Sequence, residues 1–292
     1  MKRHLWIGCI FFLILLFSVS KCRLPEDLKK KPDESLNGLK ESGAYPEEIF
    51  LKIEHRTVYA VSSGCESKNK NILIFIHGSP GGWNNYSWYL GDPELRNFFC
   101  IVSFDRPGFG KSGAERPIPD VEKQARILDR AIDSLTGTLF KEKKILLVGH
   151  SYGGPIAAKI ASDTKDPSRM GLILLAAPLS AEVEEVQWYN RVADWSWIKR
   201  ILPNEINNSN EEMLPLKSQL ASLETAWKRI RCKTVMIHGR DDSLVPFSNL
   251  EYLKTVLPAT ILKTVELEDE DHFIPWTQKD RIRTTILNFF EG

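Results

Sequence analysis

Apolar residues along this chain gather into short runs, separated by glycine- and proline-bearing loops and by longer amphipathic stretches. Asn71–Ile76, Cys100–Phe104, Ile145–Val148, Leu172–Ala176 and Thr234–Ile237 are near-continuous apolar runs rich in branched side chains. That is the pattern of strands buried on both faces of a parallel sheet. Ile49–Ile53 and Thr57–Val61 predict an entering hairpin of edge strands. A helix is predicted from Val121 to about Leu139, started by Pro119-Asp120, with Val121, Ala125, Leu128, Ile132 and Leu135 on one face. Further helices are predicted from Pro155, over Ser248–Val256 and over Thr277–Phe290, with a strand at Ile261–Leu267. Strands alternating with helices define an α/β fold, a mostly parallel central sheet covered by helices on both faces.

One segment breaks this rhythm, between Pro178 and about Ile230. Glu182–Trp197 reads as one amphipathic helix, and Leu216, Leu220, Leu223, Trp227 and Ile230 keep helical spacing in another. Trp188, Trp195, Trp197 and Trp227 lie here, half of the eight tryptophans of the chain. They pack the insert onto the core or, in the reading favoured here, belong to a small helical lid over the ends of the strands.

Those ends are where chemistry collects in a parallel α/β sheet. The run Ile145–Val148 leads into Gly149-His150-Ser151-Tyr152-Gly153-Gly154 and then into a helix. Strand, glycine-flanked serine and helix form the context of a nucleophile elbow, with Ser151 at the strained turn. The helix that follows aims its first N–H groups at charge developing beside Ser151.

Composition narrows the picture further. A chain of 292 residues, 42% hydrophobic and 26% charged, suits one large α/β domain, and a formal charge of +1 gives no general argument for a nucleic-acid or acidic partner. Lys2, Arg3 and His4 precede an apolar run from Leu5 to Phe17, short for a membrane span but suited to a signal-peptide core. The domains expected are a signal peptide or membrane anchor over 1–22, a polar lysine-rich tether over 23–45, an α/β core over 46–178 and 231–292, and the lid over 179–230. Cys22 stands where a bacterial lipoprotein carries its lipid, although Lys21 departs from the small residue normal there. Export or membrane attachment through the N-terminus follows as the expected localisation. Of the five cysteines, Cys100 and Cys232 fall in or beside strand-like runs and read as small buried apolar residues. No disulfide pairing is assigned.

A serine hydroxyl needs a base to take its proton, and the base a carboxylate to hold it in one tautomer. After Ser151, Asp241 and Asp242 follow one strand, and His272 follows the last. Asp269, Glu270 and Asp271 crowd that histidine, either as a solvated acidic loop or as a local source of negative charge.

His77-Gly78-Ser79-Pro80-Gly81-Gly82, Asp105-Arg106-Pro107-Gly108-Phe109-Gly110-Lys111-Ser112, the Ser151 elbow, Gly239-Arg240-Asp241-Asp242 with Val245-Pro246, and Asp271-His272-Phe273 stand in this order along the chain. Together they resemble the α/β-hydrolase superfamily, in its serine-nucleophile branch, over Ile49–Phe290. The resemblance selects Asp242 over Asp241 as the acid, which gives a catalytic triad of Ser151, Asp242 and His272. It also implies an oxyanion hole from the backbone N–H groups of Tyr152 and Ser79, since Pro80 has none to offer. His77, His150, His238, Asp105 and Arg106 are expected to brace or pack. No metal and no organic cofactor is implied.

The activity expected is that of a carboxylesterase-like serine hydrolase acting on a small-molecule acyl substrate. The His77–Gly82 loop also resembles that of proline iminopeptidases, which makes an aminopeptidase the enzymatic rival. Lactone, thioester and carbon–carbon bond hydrolysis stand beside it. The rival from another class is a membrane-displayed binding module that uses the lid surface.

Overall fold

The structure is a computed structural model that describes residues 25–66, 70–113, 116–137 and 143–291. The N-terminal apolar run and Cys22 lie outside the described residues, as does the end of the helix expected to reach Leu139.

The apolar runs form the strands they predict: β1 (Glu47–Ile53), β2 (Arg56–Ser63), β3 (Asn71–Ile76), β4 (Phe99–Phe104), β5 (Ile145–His150), β6 (Met170–Leu175), β7 (Lys233–Gly239) and β8 (Leu262–Leu267). They join in one sheet, ordered β1-β2-β4-β3-β5-β6-β7-β8. β1 and β2 pair antiparallel, β2 meets β4 antiparallel, and every pairing from β4 to β8 is parallel. The hairpin is therefore an edge on one side alone. β2 is flanked on both sides, which is why Val58 to Val61 are buried.

Alternation along each strand divides its side chains between two cores. Ile72, Ile74 and Ile76 of β3 enter one, Leu73 and Phe75 the other. Over the first lie α2 (Val121–Thr136), α3 (Gly153–Asp163), the end of α6 (Asn204–Trp227) and α7 (Ser248–Val256). Over the second lie α1 (Pro32–Glu41), the segment Trp83–Phe98 and α8 (Lys279–Leu287). Asp120 starts α2 as expected, its carboxylate accepting from the Lys123 N–H at 2.8 Å.

Three expectations change. Residues 26–44, expected as a tether, fold as a helical turn at Glu26–Lys29 and α1, and bury Leu39 and Ala44 against the second core. Their attachment is also polar: Asn84 donates to the Lys30 carbonyl at 2.9 Å, and Lys279 bonds Asp27. The stretch Glu182–Trp197 is not one helix but two short ones, α4 (Trp188–Ala193) and α5 (Ser196–Lys199), broken at Asp194-Trp195. Cys100 is not a free thiol but is joined to Cys65, whereas Cys232 is buried and free, its pKa pushed up to about 11 by burial.

Candidate active site

β5 delivers Ser151 at a turn where the backbone is forced left-handed, φ 51°, a conformation costly for any residue with a side chain. The neighbouring glycines make the turn sterically feasible. A Cβ on Gly153 would meet the Ile76 carbonyl oxygen at 2.2 Å, and one on Gly149 would meet the Gly153 carbonyl oxygen at 2.5 Å. The Ser151 N–H donates to the Leu175 carbonyl at 3.0 Å, tying the elbow to the end of β6.

The acid and base come from the loops after β7 and β8. His272 Nδ1–H donates to Asp242 Oδ2 at 2.8 Å, which leaves Nε2 as the basic nitrogen. Asp242 Oδ1 accepts from the backbone N–H groups of Leu244 at 2.9 Å and Val245 at 2.8 Å. Burial presses the Asp242 pKa upward. Hydrogen bonding with His238, His272 and the Val245 N–H outweighs it and holds the carboxyl well below its usual range. Asp241 is exposed and takes no part in this arrangement, so the geometry brings Asp242 to the histidine.

His150 joins that pair to the elbow. Its ring lies 4.8 Å from the His272 ring, and its Nε2–H donates to the His272 carbonyl at 3.1 Å. Burial, and then the neighbouring His272, push the His150 pKa down to about 3, so it stays neutral and packs. Among the described residues Ser151 Oγ shows no hydrogen bond to His272; hydrogen bonds of this kind often tighten only when substrate binds. Two of the acidic residues before His272 act as loop braces: Glu270 accepts from Thr277 and Gln278, and Asp271 accepts from the Phe273 N–H.

On the other side of Ser151, the Ser79 and Tyr152 N–H groups have no protein acceptor among the hydrogen bonds of the described residues. Such free donors are what an oxyanion hole requires. Among the described residues, no group of three or more His, Cys, Asp or Glu side chains is gathered for a metal ion.

Over residues 73–283 the sequence matches a family described as the alpha/beta hydrolase family. The chain belongs to that family. Curated relatives include the 2-hydroxymuconate semialdehyde hydrolase of Pseudomonas sp. (strain CF600), 29% identical over 60% of this chain and 71% of the relative. Another is the 2-hydroxy-6-oxo-6-phenylhexa-2,4-dienoate hydrolase of Comamonas testosteroni, 26% identical over 77% of this chain and 89% of the relative. Among solved structures, a putative lipase from Acinetobacter baumannii AYE shares the fold with a TM-score of 0.66. The two are 19% identical, with 87% of this chain and 95% of that one covered.

Three residues of this α/β hydrolase escaped sequence reasoning. His238, expected only to brace or pack, lies with Nε2 3.0 Å from the Val245 carbonyl and 3.4 Å from Asp242 Oδ2, next to the buried carboxylate. Glu212 and Gln124 meet Arg106 in a buried polar cluster behind Ser79. The signal for His238 was its place four residues before Asp242 at a strand end. For Glu212 there was none, since a glutamate in a long helix reads as solvent-facing. His77, Asp105 and Arg106 brace as expected. Asp105 accepts from the Trp83 and Lys111 N–H groups, both at 2.8 Å, while burial still raises its pKa to about 6.

Proposed function

We propose that this α/β hydrolase is a serine esterase that works through an acyl-enzyme on Ser151. Ser151 Oγ attacks the carbonyl carbon while His272 Nε2 takes its proton. The Ser79 and Tyr152 N–H groups receive the oxyanion, and the protonated His272 gives its proton to the departing alkoxide. Water, deprotonated by the same nitrogen, then attacks the acyl-enzyme and releases the acid. Asp242 keeps His272 in the productive tautomer.

The observation that carries this reading is the buried Asp242–His272 hydrogen bond at 2.8 Å, set against the elbow by His150. The names of the two relatives favour a second reading, hydrolysis of a carbon–carbon bond in an oxo-dienoate. Arg106, the cation behind the oxyanion loop, is already neutralised by Glu212, which supports an uncharged ester over a carboxylate-bearing dienoate. The Cys65–Cys100 disulfide supports the exported setting expected from the N-terminus, because such bonds persist in oxidising compartments.

The test is labelling with a fluorescent fluorophosphonate beside Ser151→Ala and His272→Ala, followed by an ester series of rising acyl length and an oxo-dienoate. Labelling that vanishes in both variants, together with ester turnover, is expected. Folded protein that takes no label ends the proposal, and turnover of the dienoate alone selects the second reading.

A further inference from the structure

Glu212 belongs to the lid helix α6, yet its side chain is 1% exposed and the hydrogen bonds it accepts come from the core. Arg106 grips it with two prongs, Nη1 to Oε1 at 2.6 Å and Nη2 to Oε2 at 2.9 Å. Gln124 Nε2 also donates to Oε1, and the Ser79 hydroxyl donates to Oε2. A buried carboxylate held this way is fully satisfied, so the arrangement is stiff.

One of these partners, Arg106, governs the oxyanion loop together with His77. Arg106 Nη2 donates to the Gly78 carbonyl at 2.9 Å. His77 Nδ1 donates to the same oxygen at 2.7 Å, its tautomer set because Nε2 accepts from the Arg106 N–H at 2.9 Å. The Gly78–Ser79 peptide is trans, so its carbonyl and its N–H point in opposite directions. Anchoring the Gly78 oxygen towards Arg106 and His77 therefore aims the Ser79 N–H the other way. A flip of that peptide would break both bonds. The same guanidinium lies 4.9 Å from the ring centre of Tyr152, whose N–H is the second donor.

We propose that Glu212 is a positioning residue, through which the lid holds Arg106 and Ser79 so that the oxyanion hole is formed before substrate arrives. The proposal rests on the reading of Ser151 as an acylated nucleophile. Glu212 touches no reacting atom in this scheme. It acts through the peptide that Arg106 anchors and through the Ser79 hydroxyl.

Glu212→Gln keeps the size of the side chain and removes its charge. Ser79→Ala removes only the hydroxyl bond to Glu212 and keeps the N–H, so it serves if the first variant does not fold. Full loss of one oxyanion donor lowers kcat roughly 10²–10³-fold, so a misaimed donor in Glu212→Gln is expected to lower kcat roughly 10–100-fold, with a smaller loss in Ser79→Ala. KM for a p-nitrophenyl ester should stay within about twofold, because the loss falls on the transition state alone. Affinity for a trifluoromethyl ketone, which forms a tetrahedral oxyanion on Ser151, should fall in parallel with kcat.

A purely structural ion pair would lower the melting temperature and leave kcat and ketone affinity of the folded protein unchanged, which overturns the proposal. A raised KM at constant kcat overturns it as well, by making Glu212 a substrate contact. If the wild-type protein takes no fluorophosphonate label, this proposal falls together with the esterase reading. If it labels normally and the variants match it in kcat and ketone affinity, this proposal falls alone.

Discussion

Trp227, at the end of α6, is fully enclosed and donates its Nε1–H to the Leu179 carbonyl at 3.0 Å, whereas Trp188, Trp195 and Trp197, earlier in the same insertion, are 53%, 54% and 50% exposed. The rear of the lid is built like core. Leu216, Leu220 and Leu223 pack into the first apolar cluster, and Gln219 and Asn208 donate to the carbonyls of Pro119 and Gly108. Glu212 adds the buried link to Arg106. The front is different. α4 and α5 are too short to carry an apolar stripe of their own, and they meet α6 through amides: Asn190 with Asn210, and Asn207 with the Lys199 and Leu202 carbonyls. Segments with few buried apolar contacts open at low free energy. The lid thus joins a welded half, which reaches Ser79 through Glu212, to a looser half that shows its aromatic residues to solvent.

That contrast can be broken at its strongest link first. Arg106→Leu leaves Glu212 buried without its cation, and losing one partner of a buried pair costs about 3–5 kcal/mol. Thermal unfolding should fall by roughly 10 °C in a chain of this length. A fall of a degree or two would show that the ion pair does not weld lid to core. Trp227→Ala is expected to cost about 3–5 kcal/mol in denaturant unfolding, against about 0.5 kcal/mol for Trp195→Ala or Trp197→Ala. Equal costs for these tryptophans would erase the distinction between the halves.

A smaller effect sharpens the comparison from the core side. His150 has its pKa pushed from 6.5 to about 3, so between those values the unfolded chain binds a proton that the folded one refuses. Its contribution is complete above pH 6.5 and is lost as pH falls towards 3, at about 1.4 kcal/mol per pH unit. Between pH 6.5 and 5 this group alone should cost the protein about 2 kcal/mol of stability, and His150→Asn should make the slope shallower by that amount. His77, also depressed by burial, keeps part of the slope in the variant. The exposed lid tryptophans should leave it unchanged, and an equally steep slope in His150→Asn would remove His150 as its source.

Much of this site was legible because its residues sit where short-range rules act. Gly149 and Gly153 around Ser151, Asp242 after β7 and His272 after β8 follow from strand ends and from the order of motifs. The N-terminal segment was misread because charged residues are frequent over residues 23–45, and the apolar side chains that dock it, Leu36, Leu39 and Ala44, are too few to form a pattern. Glu182–Trp197 kept a passable helical spacing, but the chain breaks at Asp194-Trp195 to start a second turn. The Cys65–Cys100 pairing depends on where the loop after β2 meets the start of β4, a proximity set by the sheet.

The sequence by itself determined the α/β alternation, the two-sided burial of the strands, the elbow and the choice of candidate acid and base. The first three follow from periodicity and turn chemistry, and the acid and base from the family resemblance that the ordered motifs carry. Only the tertiary structure decided that His150 bridges the elbow to His272, that His238 stands beside Asp242, and that a lid glutamate is buried against Arg106 and Ser79. Those contacts join residues 106 and 133 positions apart in the case of Glu212. A buried charge at such a distance leaves no local pattern, because what makes its burial tolerable is the partner that folding brings to it.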